Sequence, residues 1–208
     1  DSDGANPSRE ALQRRVRRMN DVLPTSRLIA GLRVQELAQL GLLPQAEEAA
    51  REAVDRFGPT RELLAGLLQI WGQMQRSDSS TLGNAERWLA ARSESSGRDP
   101  LLVEAHARVL LLLDQPQEAL ATINDGLAVA SATNLHETRE FILRGRLDRS
   151  VEADREELDR LRSSPRSIEN VLRLARTLAR QRGPNEAIPV LHPAWPEWVV
   201  LREAQVEL

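Results

Sequence analysis

The sequence has no cysteine, no lysine and no tyrosine, and each absence narrows what the chain can be. Without cysteine there is no disulfide framework, no thiol nucleophile and no cysteine-ligated zinc site. Aromatic residues make up only 3% of the chain, which disfavours β-sandwiches and β-barrels because these folds fill their cores with aromatic and β-branched side chains. The missing lysine and tyrosine are typical of codon bias in a GC-rich genome and predict a bacterial source.

Charge and hydropathy disfavour two further classes of protein. The 28 basic residues are all arginine and are outnumbered by 31 acidic residues, so the net charge is −3. A dedicated nucleic-acid binder has a basic excess, so no nucleic-acid partner is expected. No apolar run approaches the roughly 20 residues of a membrane-spanning helix, so no membrane insertion is expected. The remaining composition, rich in Ala, Leu, Glu and Arg, favours helix.

One dipeptide recurs at a fixed interval along the chain. Five times, an acidic or amide residue is followed directly by an alanine. The alanines of this ladder are Ala46, Ala85, Ala119, Ala153 and Ala187. The last three intervals are 34 residues and the first is 39, and the five extra residues fit an insertion in the polar stretch 76–81. A 34-residue period predicts helix–turn–helix units stacked into a solenoid.

Apolar residues inside each unit follow the i, i+3, i+4, i+7 spacing of one helical face. In the unit 100–133, Val103 and Ala107 lie on one face of the first helix, and Ala119 lies on the facing side of the second. Small residues at such positions let the two helices approach closely. We therefore predict an all-α, right-handed α-solenoid of stacked helix–turn–helix repeats, in which Ala119 and Ala187 are buried where the helices of a pair cross.

Two further positions of the repeat carry small residues. Ala107 and Ala175 lie at position 8, the ladder alanines at position 20, and Gly126 at position 27. In these positions the sequence resembles the tetratricopeptide repeat (TPR) family, and the resemblance covers nearly the whole chain. It is degenerate, because no repeat has the family's Trp at position 4 or Tyr at position 11, although Trp71 occupies position 11 of its unit.

The ladder divides the chain into seven predicted segments. They are a tail with the second helix of an incomplete repeat (1–26), a repeat (27–60), a repeat with the insertion (61–99), a repeat (100–133), a degenerate repeat (134–167), a repeat (168–195), and the first helix of a further repeat or a capping helix (196–208). In the degenerate repeat, Glu137 and Arg144 fall where apolar residues belong. A slip of one position places Phe141, Ile142 and Gly145 on the core face instead.

Both ends of the chain predict a helix without its partner. Ser8–Asn20 has the pattern of a second helix and Pro196–Leu208 that of an apolar first helix. Because solenoids usually close with a polar cap, we expect an excerpt of a longer array; the alternative is a terminal helix that caps the last pair. The basic run Arg14–Arg18 is expected to be a solvated face or one covered by an upstream helix, with an anion-binding patch as the alternative.

The sequence contains no recognisable catalytic constellation. There is no G-x-S-x-G, no glycine-rich phosphate loop and no H-E-x-x-H. His106, His136 and His192 fall in three different repeats, with no second ligand at metal-binding spacing. The carboxylate pairs lie in arginine-rich helices, where ion pairs between residues four apart account for them. We therefore expect no enzyme activity, no metal and no cofactor in these residues.

The TPR resemblance implies a concave groove that holds a peptide through positions 2, 5, 9, 12 and 13 of each first helix. The candidate groove residues are Gln69, Gln73, Glu104, Arg108, Leu112, Arg176 and Arg180. The three arginines suit acidic groups, which they can hold bidentately, and we expect them to share one exposed surface. Chaperone-binding members of the family grip a terminal carboxylate with Lys and Asn at such positions, and this chain has no Lys and no Asn at them.

These patterns predict a protein–protein interaction scaffold that binds a peptide or a partner protein in a concave, TPR-like groove. Two alternatives stay open from the sequence. The chain could be an accessory or regulatory segment of a larger multidomain enzyme or secretion machine, which the full-length gene would reveal. It could also be a self-associating structural module whose end helices dock on neighbouring copies, which light scattering over a concentration series would reveal.

Overall fold

The computed structural model describes Arg14, Arg18 and residues 26–76, 78–163 and 167–191. These residues form ten longer α-helices and no β-strand, which confirms the all-α prediction. The helices are α1 (Arg27–Gln39), α2 (Leu43–Phe57), α3 (Arg61–Met74), α4 (Thr81–Ser95), α5 (Pro100–Leu112), α6 (Pro116–Val129), α7 (Thr133–Gly145), α8 (Ser150–Ser163), α9 (Ile168–Arg182) and α10 (Pro184–Leu191). Arg14 and Arg18 are helical and exposed. The rest of the predicted helix 8–20 and the whole of 196–208 lie outside the described residues.

The chain forms two compact units, residues 1–139 and 140–208. In the first unit, α1 packs on α2, α2 on α3, α4 on α5 and α5 on α6, while α3 also contacts both α1 and α5. In the second unit, α9 packs on α8 and on α10. Helices therefore meet partners that are close in sequence, which is the contact pattern of stacked helical repeats.

A left-handed backbone conformation follows the first helix of three pairs. Gly41, Asp114 and Asp148 have φ values of 74°, 59° and 53°. Glycine adopts this conformation without a Cβ penalty, and aspartate is enriched there among the other residues. The second helices α2 and α6 then begin with proline in their first turn, where its missing N–H removes no intrahelical bond. These residues set the tight turn inside the three pairs.

The ladder alanines are all buried, with at most 3% of their surface exposed. This confirms the predicted burial of Ala119 and Ala187. Among the described glycines, packing is closest at Gly126 on α6, where a Cβ would stand 2.6 Å from Val103 Cγ1 on α5 and 3.2 Å from Leu135 Cδ1 on α7. Position 27 of this repeat therefore accepts glycine alone without a shift of its neighbours.

Enlarging a ladder alanine is expected to destabilise the fold. Ala119→Leu should cost about 1–3 kcal/mol, because extra methylenes in a packed crossing force side chains and backbone to shift. Ala121→Leu is the matched control, since Ala121 lies two residues further along α6 on its exposed side. Thermal unfolding followed by circular dichroism measures both. Equal melting temperatures for the two variants would show that the repeat phase is wrong.

Helix α7 corrects one detail of the predicted core. Ile142 is fully buried as predicted, but Phe141 is 55% exposed and Gly145 is exposed as well. The other buried residues of this helix are Leu135, Thr138 and Leu143. Adjacent residues on an α-helix are about 100° apart, so the face defined by the three aliphatic side chains turns Phe141 outward.

Candidate interaction surface

The first helices of the first unit present exposed side chains at equivalent positions. Gln69 and Gln73 lie exposed on α3, and Arg108 and Leu112 lie exposed on α5. Each pair is separated by four residues, so its two members lie one turn apart on the same face of their helix. These four candidates from the sequence are therefore all accessible to a partner.

Sequence reasoning missed two residues of the same kind. Gln35 and Gln39 are exposed on α1 and precede Gln69 and Gln73 by 34 residues each. Because α1 contacts α3, equivalent positions on the two helices belong to neighbouring parts of one repeat surface. The 34-residue period itself was the signal that could have found them.

Glu104 has a different role from its neighbours on α5. Its Oε1 lies 2.7 Å from Arg108 Nη2, and its Oε2 accepts a hydrogen bond of 2.7 Å from Asn134 Nδ2. Asn134 Nδ2 also donates to the carbonyl oxygen of Pro100 at 3.2 Å. The carboxylate therefore ties the start of α7 to α5 and orients Arg108, whose side chain remains half-exposed.

In the second unit, Arg176 and Arg180 are both exposed on α9. Arg180 also reaches the protein interior: its Nη2 lies 3.2 Å from Asp154 Oδ1 and 3.4 Å from Glu157 Oε2. Asp154 and Glu157 on α8 are each only 7% exposed. Arg180 is therefore exposed at the surface and also pairs with two buried carboxylates.

Two more arginines compensate the same buried carboxylates. Arg144 Nη2 hydrogen-bonds to Asp154 and lies 3.5 Å from Glu157 Oε2. Arg173 Nη2 donates to Glu157 Oε1 at 3.0 Å, and Thr177 Oγ1 donates to Glu157 Oε2 at 3.0 Å. We call Arg144, Asp154, Glu157, Arg173, Thr177 and Arg180 the ionic core. It satisfies both carboxylates, as a buried charge requires.

The surroundings of Arg144 act on its pKa in opposite directions. Burial lowers the pKa of this guanidinium, but hydrogen bonds to Asp154 and Glu140 outweigh the burial and raise it above its ordinary value. Glu140 Oε1 accepts from Arg144 Nε at 2.8 Å. Arg144 is therefore held as a cation, as the buried acids of α8 require.

Two residues of the ionic core occupy repeat positions that hold apolar residues in the other repeats. Glu157 lies four residues after its ladder alanine, where other repeats have Ala50, Leu89, Ile123 and Leu191. Arg144 stands where other repeats have Leu37, Trp71, Leu110 and Leu178. All eight of those apolar residues are buried. Arg144, which does not fit the apolar pattern of the sequence, is thus paired with Asp154 and Glu157 on the next helix.

A surface cavity of about 630 Å³ runs along α2 in the first unit. Its lining residues are Pro44, Glu47, Glu48, Arg51, Glu52, Asp55 and Arg56. Several of these charges are already paired: Arg51 lies 2.6 Å from Glu47, and Asp55 lies 3.2 Å from Arg92. The cavity is therefore an ionic surface with much of its charge compensated internally.

The fully buried Trp71 makes a hydrogen bond and a ring contact next to this cavity. Its Nε1 donates to Glu47 Oε1 at 2.8 Å, and its ring meets Trp88 edge to face at 6.2 Å between centroids. The Arg51 guanidinium lies 5.1 Å from the centroid of the Trp88 ring, within the range of a cation–π contact. This cluster joins α2, α3 and α4.

The structure also bears on metal binding and on membrane insertion. In the described ranges, no group of three or more His, Cys, Asp or Glu side chains is placed to hold a metal ion. His106 instead contacts Glu86 at 3.2 Å, and His136 contacts Ser131 at the same distance; His192 lies outside those ranges. None of the helices that the structure describes has the length and apolar character needed to span a membrane.

Comparison with known proteins identifies the fold. No family model and no curated protein matches the chain. Among solved structures it is similar to TTC0263, a thermophilic TPR protein of Thermus thermophilus, at 20% identity over 78% of this chain and 87% of that one, with a TM-score of 0.51. The chain therefore has the fold of a tetratricopeptide repeat protein, as its sequence pattern predicted.

Two other solved TPR proteins are more distant in structure. One, from Parabacteroides merdae ATCC 43184, is 12% identical over 91% of this chain and 72% of that one, with a TM-score of 0.46. The other is YrrB, a TPR protein with an unusual peptide-binding site, which is 14% identical over 91% of this chain and 95% of that one, with a TM-score of 0.42.

Proposed function

We propose that the chain is a protein–protein interaction scaffold that binds a peptide or partner protein on the exposed face of its first helices. The observation that carries the proposal is the repetition of accessible side chains at positions 9 and 13 of α1, α3, α5 and α9. They are Gln35, Gln39, Gln69, Gln73, Arg108, Leu112, Arg176 and Arg180. The TPR fold supports the proposal, because stacked helical repeats create extended binding surfaces.

In the first unit, neutral and charged contacts lie on adjacent helices. Gln69 and Gln73 offer amide donors and acceptors on α3. Arg108 offers its exposed guanidinium to an acidic group, while its Nη2 lies 2.7 Å from Glu104 Oε1. Leu112, one turn further along α5, offers an apolar contact. A peptide with an acidic and an apolar side chain close together suits the α5 part of this face.

In the second unit, acidic groups are expected at Arg176 and Arg180 on α9. Arg180 is the weaker contact, because Asp154 and Glu157 already compensate its charge. Moving it away from two buried carboxylates would leave their charge less compensated, which is costly in a low-dielectric interior. We therefore propose that Arg180 contributes less to the binding of an acidic group than its exposure alone suggests.

The proposal is tested with a peptide selected from a random display library against the full chain. Gln69→Ala/Arg108→Ala/Leu112→Ala is expected to weaken its binding at least about tenfold, since each lost hydrogen bond or apolar contact costs about 1 kcal/mol. Isothermal titration calorimetry gives the Kd, and circular dichroism verifies that the variant folds.

The matched control is Gln117→Ala/Arg87→Ala/Val129→Ala, which makes a similar set of three side-chain changes at exposed positions of the second helices α4 and α6. It should leave the Kd unchanged. A selected peptide that loses affinity only in this control would place the binding surface on the second helices and contradict the proposal.

A further inference from the structure

We infer that Asp154 and Glu157 of the ionic core compete with an acidic ligand for Arg180, and thereby couple binding at α9 to the packing of α8 on α9. The inference rests on the proposed function and adds the regulation of its α9 part. The ligand that it concerns presents a carboxylate or another anionic group. Because the ligand and the buried acids need the same edge of one guanidinium, each weakens the hold of the other.

The competition takes place at one nitrogen atom of Arg180. Its Nη2 lies 3.2 Å from Asp154 Oδ1, 3.3 Å from Thr177 Oγ1 and 3.4 Å from Glu157 Oε2. This nitrogen carries two of the five N–H donors of the guanidinium. A carboxylate that binds bidentately uses Nη2 together with either Nε or Nη1. Three protein oxygens therefore surround the nitrogen that both bidentate arrangements require.

An acidic ligand can still reach Arg180 from the solvent, because 53% of its side chain is exposed. Asp154 and Glu157 are buried, so they hold the guanidinium from the interior. A ligand that takes Nη2 must draw it away from these acids. A ligand that contacts only Nε or Nη1 gains a single hydrogen bond in place of a bidentate pair. In both cases the ligand binds less tightly than it would to an arginine without these partners.

Asp154 is the stronger of the two competitors. When Arg180 moves away, Glu157 keeps Arg173, whose Nη2 lies 3.0 Å from its Oε1, and it also keeps Arg144. In the described part of the chain, Asp154 keeps Arg144 alone. A buried carboxylate that loses a cation is costly in a low-dielectric interior. The loss of Arg180 is therefore felt most at Asp154.

Release of Arg180 also removes a link between two helices. The acids lie on α8 and the arginine lies on α9, and their contact adds to the apolar cluster that Leu158 of α8 shares with Ala175 and Leu178 of α9. A ligand bound at Arg180 therefore weakens the hold of α9 on α8. By reciprocity, loosening of this contact strengthens the binding of the ligand by the same factor.

Arg108 provides the comparison within the same chain. In the part of the chain that the structure describes, its Nη2 meets a single acceptor, Glu104 Oε1, at 2.7 Å. One N–H of this nitrogen is therefore left for a bidentate contact with a ligand. Glu104 lies one turn away on the same helix, so a ligand that displaces it from Arg108 breaks no contact between helices. Competition by buried acids of another helix distinguishes Arg180 from Arg108.

The test uses a hexaglutamate peptide, titrated into the full chain by isothermal titration calorimetry. Asp154→Asn is expected to strengthen binding about three- to fivefold, the range that an exposed ion pair contributes. The substitution releases Arg180, while asparagine keeps an oxygen for Arg144. Glu157→Gln should give a smaller gain, since Asp154 still holds Nη2. Combining Asp154→Asn with Arg180→Ala should abolish the gain.

Asp159→Asn is the matched control, because it removes the same charge from an exposed carboxylate of the same helix. It should change the affinity by less than about twofold. Equal gains from Asp154→Asn and Asp159→Asn would reduce the effect to net charge and overturn the inference. A gain that persists without Arg180, or no measurable binding to the Asp154→Asn variant, would overturn it as well.

Hydrogen exchange tests the coupling on the unsubstituted chain, where no variant has to fold. At near-saturating hexaglutamate, amides of α8 around Asp154 are expected to exchange up to about three- to fivefold faster than in the free chain, because the coupling is reciprocal. Amides of α2, a second helix of the first unit, should keep their exchange rates. Unchanged or slower exchange in α8 of the complex would overturn the inference.

The outcomes distinguish this inference from the proposed function. If the library-selected peptide loses affinity with Gln69→Ala/Arg108→Ala/Leu112→Ala, but Asp154→Asn gives hexaglutamate no gain, the proposed function stands and the inference is overturned. If the selected peptide loses affinity only in the second-helix control and Asp154→Asn gives no gain, both are overturned. Loss of affinity in the first-helix variant, together with a gain that depends on Arg180, supports both.

Discussion

Replacing Glu157 with leucine is expected to destabilise the second unit by about 3–5 kcal/mol, the range for breaking a buried ion pair by removing one partner. The substitution leaves Arg144 and Arg173 without a carboxylate that lies 3.5 Å and 3.0 Å from them. It also removes the acceptor of the Thr177 hydroxyl. Hydrogen exchange of amides in α8 and α9 measures the loss without assuming that both units unfold together.

The double variant Arg144→Leu/Glu157→Leu should recover most of that loss. It removes one charge of each sign, so Arg173 and Arg180 remain balanced by Glu140 and Asp154. It also restores the apolar level that neighbouring repeats have, and well-packed apolar replacements of buried ion pairs are often neutral or stabilising. Asp159→Leu, at an exposed carboxylate of α8, is the control and should change stability by no more than about 0.5 kcal/mol. If the double variant is as unstable as the single one, the hypothesis that charged residues replace apolar ones at equivalent repeat positions is wrong.

Trp71→Ala is expected to destabilise the first unit by about 3–5 kcal/mol, the usual cost of truncating a buried tryptophan. Trp71 is fully buried, so the cavity cannot be filled from solvent without hydrating apolar walls. The change also removes the indole donor of Glu47 and the edge contact with Trp88. Urea denaturation followed by circular dichroism measures the difference in unfolding free energy.

Trp71→Phe divides this effect into its parts. Phenylalanine retains much of the buried ring but lacks the indole N–H, so this variant mainly reports the hydrogen bond to Glu47. Hydrogen bonds to charged groups contribute about 1.5–3 kcal/mol, and Glu47 keeps Arg51 as a partner. The expected loss is therefore smaller than for alanine. Equal losses in the two variants would mean that the cavity contributes nothing.

The sequence predicted the features that depend on periodicity alone. The ladder alanines are buried because a 34-residue repeat returns each to the same crossing. The burial of Ile142 was predicted by the same reasoning, but the predicted burial of Phe141 is wrong, because Phe141 is exposed. A one-residue slip rotates a helix by about 100°, and only the competition among all apolar residues of α7 decides which face turns inward.

The ionic core could be suspected from the sequence but not assembled from it. Arg144 stood out because it broke an apolar position. Its partners Asp154 and Glu157 lie on the next helix, and the helix after that supplies Arg173 and Arg180. Which of many acids and arginines meet depends on the rotation of three helices about their axes, which repeat spacing leaves undetermined.

In the interaction surface, too, repeat spacing predicted which side chains are exposed but not which partners they have. Gln69, Gln73, Arg108 and Leu112 are exposed where repeat positions placed them. Glu104 instead accepts a hydrogen bond from Asn134, which lies 30 residues away. The spacing of residues within a helix does not predict this contact. Arg180 carries a second role because its long side chain reaches past its own helix, and side-chain reach is not encoded in a repeat pattern.

The ionic core also limits how a gene for this array can be rearranged. Repeats with matching apolar levels can be duplicated or deleted one 34-residue length at a time, since each new neighbour presents an equivalent apolar surface. A breakpoint between α8 and α9 would instead separate Asp154 and Glu157 from Arg173 and Arg180, leaving two buried acids with Arg144 alone. Residues 140–182 should therefore be inherited as one block, with recombination tolerated more readily among the repeats of the first unit.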